Sequence, residues 1–232
     1  MIKRSSSRYG SVSGSYYSGP APTASAASPF TLQRGSAVIR SGTMQYVYGS
    51  KVDVRSERYG TAYVQVTGSS VTITGGETNY VVGGYARASG DRVTTEVAVR
   101  GNVVRLQGGT HETVYGGLAE SRVLDPSMIA ENNTVYISGG TYRPGGLIAG
   151  GKAGSSGTNT VRNNTIEITG APGPLPKLFG GISAGGGTPT LENNALIVRD
   201  TKGITAVSAE HFQKFVFYVP AGLAANQPML SL

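Results

Sequence analysis

A short phrase of alternating apolar residues, preceded by a pair of asparagines, recurs along this chain at a nearly constant interval. It reads NNTVYISGG at 132–140, NNTIEITG at 163–170 and NNALIVRD at 193–200, so the steps between asparagine pairs are 31 and 30 residues. Looser copies, SSVTITGG at 69–76 and GNVVRLQGG at 101–109, come before them. Repetition at a period of this size is typical of a solenoid, in which each repeat buries its apolar face only by stacking on its neighbours.

Each repeat contains three short apolar phrases. The first alternates apolar and polar residues, as in Val135 and Ile137, which predicts a strand with one buried face. The second ends in small residues, as in YVVGG at 80–84, and is expected to end in a turn. The third, such as TEVAVRGN at 95–102, leads to the next asparagine pair. Three strands and three corners per repeat, with no apolar stripe of helical period, predict an all-β fold.

We therefore expect a right-handed parallel β-helix (a solenoid) of about six coils with an irregular N-terminal arm. The coils are expected to begin near residues 35, 69, 102, 133, 164 and 194. The right hand follows from the chirality of parallel strand crossovers.

Asparagine at the same corner of successive coils predicts a structural ladder. Its expected members are Asn102, Asn133, Asn164 and Asn194. Stacked amides can form hydrogen bonds along the stack, and asparagine tolerates a left-handed backbone.

The two ends of the chain differ from the repeats. Residues 1–34 are rich in Ser, Gly, Tyr, Ala and Pro and are expected to form a flexible arm, whereas 35–232 form the β-helix. An aromatic C-terminal cap is expected at about 211–232. Its four aromatic residues within seven positions, which either cap the core or mediate end-to-end assembly, are Phe212, Phe215, Phe217 and Tyr218.

Composition bounds the chemistry. Cysteine is absent, which excludes disulfides and thiolate metal sites, and His111 and His211 are too few for a multi-histidine site, so we expect no metal and no cofactor. No apolar stretch is long enough to span a membrane as a helix. The net charge of +7 permits acidic partners, but the basic residues are scattered, and there is no strong case for nucleic acid.

At this level the repeats resemble the passenger regions of bacterial autotransporters. The resemblance is carried by NNTVYISGG and VYGG, and by HFQKFVFYVPAGLAANQPMLSL at 211–232, which is similar to the junction that follows such repeats. It covers about 36–232 and implies a β-helix in an extracellular or bacterial cell-surface location. The sequence contains neither the membrane barrel nor an intact signal peptide of that family, so we expect a passenger fragment or a relative released by another route. Passengers include adhesins, proteases and toxins, so the activity stays open.

The sequence predicts no catalytic residue. Asp53 and Glu57 are expected in a solvated, charged loop, and Glu131 and Glu192 are two coils apart. His111 is expected to be exposed, and His211 to pack near the terminal aromatic strand. No G-x-S-x-G elbow is present.

Three functions follow from these patterns. The first is a non-catalytic secreted or cell-surface adhesin-like solenoid that presents side-chain ladders to a glycan or to a host or bacterial surface protein. Its candidate ladder, on the outward side of the first phrase, comprises Thr72, Thr74, Arg105, Gln107, Tyr136, Ser138, Glu167 and Thr169. The alternative is a structural rod that self-associates end to end through its coil ends into a filament or surface layer. The third is a polysaccharide-degrading β-helix enzyme.

Overall fold

The protein is an all-β solenoid. The computed structural model describes residues 10–20, 25, 28–56, 62–90, 95–122, 126–187 and 189–232. Within these ranges there is no helix, and 21 strands form three parallel sheets, which confirms the predicted fold class.

Each sheet collects one of the three phrases. Sheet 1 collects the first phrase as β3 (Ser36–Ile39), β6 (Ser70–Ile73), β9 (Val103–Leu106), β12 (Thr134–Ile137), β15 (Thr165–Ile168), β18 (Ala195–Arg199) and β20 (Lys214–Tyr218). Sheet 2 collects the second as β1 (Gly10–Pro20), β4 (Thr43–Ser56), β7 (Glu77–Gly90), β10 (Thr110–Ser121), β13 (Thr141–Gly154), β16 (Leu175–Ala184), β19 (Ile204–Glu210) and β21 (Leu230–Ser231). Sheet 3 collects the third as β2 (Phe30–Gln33), β5 (Ala62–Thr67), β8 (Thr95–Arg100), β11 (Ser127–Glu131), β14 (Thr158–Arg162) and β17 (Pro189–Glu192).

The number of complete coils is smaller than expected. About five turns carry a strand in all three sheets, from β3–β5 to β15–β17. The sixth expected coil supplies β18 and β19, but the chain then returns to sheet 1 as β20. The reason is that no third apolar phrase follows Asn194, so sheet 3 ends one rung earlier.

Two described parts of the N-terminal segment differ from the expected flexible arm. Strand β1 pairs with β4 along its length, and β2 pairs with β5. The ring of Tyr17 lies 4.7 Å from that of Phe30, measured between centroids. The open edges of β4 and β5 supply hydrogen-bonding partners, which favours strand formation even in a Ser/Gly-rich segment. Residues 1–9, 21–24, 26 and 27 lie outside the described part of the chain.

The interior consists of two apolar lobes. The first lies between sheet 1 and the first half of sheet 2, and it includes the fully buried Val135 and Ile148. The second lies between sheet 3 and the second half of sheet 2, and it includes Val97 and Ala119. Burial of these columns removes apolar surface from water in every coil, which is the main stabilising term for such a fold.

The Gly-Gly pairs of the second phrase lie within strands, so the expected turn at this position is wrong. Strand β7, for example, continues through Gly83 and Gly84. A Cβ atom on Gly84 would lie 2.5 Å from Cγ of Asn102, so glycine is required for close packing at this point. In the first coil Ser50 replaces the second glycine, and Ser69 replaces the asparagine. Their hydroxyl oxygens are 2.6 Å apart.

Candidate functional site

The four predicted ladder asparagines form one buried column between the two lobes. Asn102, Asn133, Asn164 and Asn194 are all fully buried. In each step the backbone N–H and the side-chain amide of one asparagine donate to Oδ1 of the next, at 2.9–3.1 Å. Because the ladder has no exposed atoms, its role is structural.

The backbone around the ladder uses left-handed residues. Asn132, Asn163 and Asn193, each directly before a ladder asparagine, have φ between 52° and 57°. Asparagine is among the few non-glycine residues that adopt this conformation readily.

The ladder ends at a backbone group on one side and at a side chain on the other. At one end the backbone N–H of Ser69 donates to Oδ1 of Asn102 at 3.0 Å. At the other, Gln213 Oε1 accepts from the backbone N–H of Asn194 at 2.9 Å and from its side-chain amide at 3.2 Å. Gln213 follows the last repeat, so periodicity gave no signal for it.

The four C-terminal aromatic residues take different positions. Phe212 is half-buried against the first lobe. Phe215 and Phe217 are in register with the buried Leu196 and Val198, but they are 48% and 45% exposed because no further strand of the described chain covers them. The ring of Tyr218 is exposed, with Arg199 Cζ 3.8 Å from its centroid.

The cap over the first lobe is provided by other residues of the same segment. Met229 is buried there, and Leu223 and Leu230 pack beside it.

The outward ladder of sheet 1 is occupied by contacts within the protein. Arg105 Cζ lies 4.3 Å from the ring centroid of Tyr136, and Arg199 Nε donates to Glu167 at 2.8 Å. These contacts make the outer face of sheet 1 an ordinary polar exterior.

The structure corrects the placement of His111, which is fully buried rather than exposed. Its Nε2 donates to the Gly108 carbonyl at 2.9 Å, which leaves Nδ1 to accept from the Thr78 hydroxyl at 2.8 Å. Burial lowers the pKa of His111 to about 4. His211, by contrast, is exposed, and its ring centroid lies 5.8 Å from that of Phe179.

The structure also shows where the acidic residues considered in the sequence analysis lie. Asp53 lies in strand β4 and not in a loop, whereas Glu57 is outside the described residues. Glu131 and Glu192 are separated by Arg162, which pairs with both in register. Arg162 Nε lies 2.7 Å from a carboxylate oxygen of Glu131, so Glu131 belongs to a structural ion pair.

A second candidate site lies on the outer face of sheet 2, where the strands bend at the glycine pairs. We call it the tyrosine groove. It is formed by Tyr46, Tyr48, Tyr80, Tyr85 and Tyr115, together with Lys51 and Lys152.

Side chains from both sides of the bend meet on the outer face and pack into a third hydrophobic cluster. Tyr48 precedes the bend and Tyr85 follows it one coil later, and their ring centroids are 5.5 Å apart. The rings of Tyr80 and Tyr115 are also 5.5 Å apart. Tyr48, Tyr85 and Tyr115 are buried and form the floor, while Tyr46, 39% exposed, lies at the rim.

Four phenol groups of the groove are held neutral. Burial raises the pKa of Tyr48 to about 12, and it also raises the pKa values of Tyr80, Tyr85 and Tyr115. The Tyr85 hydroxyl donates to Glu120 at 3.2 Å. The groove therefore combines apolar ring faces with uncharged hydroxyl groups.

Two ammonium groups lie among the rings. Lys152 Nζ is 5.6 Å from the ring centroid of Tyr115 and 3.9 Å from a Glu120 carboxylate oxygen. Lys51 Nζ lies 5.1 Å from the centroid of Tyr48 and 5.7 Å from that of Tyr85. Such geometry is attractive because the ring face is electron-rich.

Sequence reasoning missed this groove. The repeat pattern predicts strands that end in turns at YVYGS (46–50), YVVGG (80–84) and TVYGG (113–117), and it carries no information on outward tyrosines. The available signal was the recurrence of tyrosine beside Gly49, Gly84 and Gly116 in three successive repeats.

Comparison with known proteins adds no relative: no family model, no curated protein and no solved structure matches this chain. Among the described residues, no group of three or more His, Asp or Glu side chains is placed to hold a metal ion. The same part of the chain contains no helix with the length and hydropathy needed to cross a membrane.

Proposed function

We propose that the protein is a non-catalytic, adhesin-like module that binds an extended glycan along the tyrosine groove. The observation that carries the proposal is the row of packed tyrosine rings on the outer face of sheet 2 over three successive coils. Successive strands lie about 4.8 Å apart, which is close to the length of one pyranose residue in an extended chain. A polysaccharide parallel to the solenoid axis would therefore place about one sugar on each coil.

The chemistry of the groove suits a sugar. The C–H face of a pyranose packs on aromatic rings, and its hydroxyl groups pair with neutral phenols and carboxylates. Tyr46 supplies an exposed ring face at the rim, and the partly buried Tyr80 lies beside it, with ring centroids 5.9 Å apart. A secreted or cell-surface location belongs to the same proposal, and the resemblance to autotransporter passengers and the absence of cysteine support it.

Glycan-array screening followed by calorimetry tests the proposal. The double variant Tyr46→Ala/Tyr80→Ala should weaken binding at least tenfold. The control is Tyr136→Ala, which removes a tyrosine from the outer face of sheet 1 and should leave affinity unchanged. An equal loss in the control, or unchanged affinity in the double variant, would contradict binding in the groove.

An assay for reducing ends, run on the polysaccharides that bind, separates binding from degradation. Asp53 and Glu120 occupy the same row of sheet 2, with Arg87 between them in register. Glu120 is already hydrogen-bonded by Tyr85, which favours a structural role over proton transfer. Release of new reducing ends from a bound polysaccharide would replace the binding proposal with a degradative one.

End-to-end assembly is the second candidate function. It is favoured by the half-exposed Phe215 and Phe217, and by the outer edge of β20, which pairs with no other strand of the described chain. Sedimentation over a range of concentrations should then show growth of the particle. The variant Phe215→Ser/Phe217→Ser should abolish this growth, and a constant monomer mass in the unmodified protein would exclude assembly.

A further inference from the structure

Lys51 is placed differently from the other groove lysine. It lies in β4 directly after the bend, next to Ser50, and its register partner in β1 is Tyr16. Three tyrosine rings surround its ammonium group, with centroids 5.1–5.7 Å from Nζ; they belong to Tyr16, Tyr48 and Tyr85. In contrast to Lys152, Lys51 has no ion-pair partner among the residues that the structure describes.

An ammonium group in this position retains unused hydrogen-bonding capacity. It has three N–H donors, and ring faces are attractive surfaces rather than carbonyl-like acceptors. The rings also displace part of the water around Nζ, which strengthens its attraction to a nearby anion. Lys51 is only partly buried, and the neighbouring Tyr16 is 60% exposed, so a ligand can approach this side chain from solvent.

The surroundings of Lys51 are cationic overall. In the register rows that hold the groove residues and the next row on the same face, the charged side chains of the described strands are Lys51, Arg87, Lys152, Lys177, Asp53, Glu120 and Glu210. Cations exceed anions in this set, in agreement with the net charge of +7 for the whole chain. A positively charged cleft raises the local concentration of anionic ligands.

We infer that the glycan bound by the groove is acidic and that one of its anionic substituents, a carboxylate or a sulfate ester, binds Lys51 Nζ. This inference rests on the proposed glycan-binding function and specifies its ligand class. The aromatic rim binds the sugar rings, and Lys51 selects the charged residue of the polymer.

Matched polymers test the inference by calorimetry at constant ionic strength. One pair is polygalacturonate and its methyl ester, and the other is dextran sulfate and dextran. The protein should bind at least one acidic polymer about tenfold or more tightly than its neutral counterpart. The pair that shows the preference identifies the anion as a carboxylate or a sulfate.

Variants of Lys51 assign the preference to this side chain. Lys51→Met, which keeps the length of the side chain, should bring the acidic polymer to the affinity of the neutral one. Lys51→Arg should keep most of the preference. Lys202→Met, at an exposed position in the segment after β18, is the control and should change nothing. Thermal melts of each variant verify that the fold is retained.

The outcomes are distinguishable. Equal binding of acidic and neutral polymers to the unmodified protein would overturn the inference but leave the glycan proposal intact. Absence of binding to any glycan would refute the proposed function itself. An equal loss in Lys202→Met and Lys51→Met would assign the preference to general surface charge and overturn the role of Lys51.

Discussion

The backbone N–H and the side-chain amide of Asn133 both donate to Oδ1 of Asn164, each at 3.0 Å, and both residues are fully buried. One carbonyl oxygen thus satisfies two donors of the adjacent coil. Because an unsatisfied buried donor costs about 1–3 kcal/mol, the ladder links the stability of each coil to that of its neighbour.

Removal of one ladder side chain should destabilise the protein strongly. Asn133→Ala leaves the backbone N–H and amide of Asn102 without their acceptor and opens a cavity, so we expect a loss of about 3 kcal/mol in the free energy of unfolding. The neighbouring Asn132 is exposed and has a φ of 57°. Asn132→Gly should therefore change stability by less than about 0.5 kcal/mol. Urea denaturation measures both, and equal effects would refute the assigned roles.

Ser50 and Ser69 take the positions that Gly84 and Asn102 occupy one coil later. This predicts that two serine substitutions at Gly84 and Asn102 compensate each other in stability. Gly84→Ser should cost about 1–3 kcal/mol because its side chain collides with Asn102. Addition of Asn102→Ser recreates the arrangement of Ser50 and Ser69, so the double variant should show a favourable coupling energy of about 1 kcal/mol or more.

A double-mutant cycle from denaturant unfolding gives this value. Gly154→Ala is a suitable reference, because a Cβ there meets its nearest neighbour at an ordinary 3.6 Å. Strict additivity of the two serine substitutions would show that the glycine does not accommodate the asparagine.

The buried imidazole makes stability depend on pH. Burial lowers the pKa of His111 to about 4 from its usual value of 6.5, so the unfolded chain takes up the proton more readily than the folded one. The stabilisation is complete above about pH 6.5 and is lost as the pH falls towards 4, by a total of about 3 kcal/mol. Urea unfolding between pH 4 and 7 should show this decline, and His111→Gln should reduce it. A decline of the same size in His111→Gln would assign it to other groups.

One buried and one exposed position test which side chains of sheet 1 point into the interior. Val135 is fully buried in the first lobe, so Val135→Asp should cost several kcal/mol by burying an unpaired charge. Thr74 is exposed, and Thr74→Ala should change stability by less than about 0.5 kcal/mol. Thermal unfolding of both variants provides the comparison, and similar effects would mean that the facing is wrong.

Local alternation made much of this fold predictable. Val135 and Ile137 are two residues apart, and a period of two determines which face of a strand is buried without knowledge of any distant residue. The distribution of the three phrases among three parallel sheets followed from the same periodicity and from the constant repeat length.

The groove and the buried histidine depended on information that periodicity does not contain. A Cβ on Gly83 or on Gly84 would meet Asn102, so two consecutive residues face the interior and the alternation breaks there. Extrapolation of period two through the bend therefore misplaces Tyr85. The burial of His111 depends on Thr78 in the preceding coil, and only the register between coils brings the two side chains together.

The way in which the ladder ends has a consequence for how such a chain can vary in length. Ser69 and Gln213 terminate the column, whereas the links between them are chemically interchangeable. Excision or duplication of one unit of 31 residues, the separation of Asn102 and Asn133, would leave every amide with a neighbour. Gene-level changes in copy number can thus extend or shorten the tyrosine groove by whole rungs while the same interior is reused.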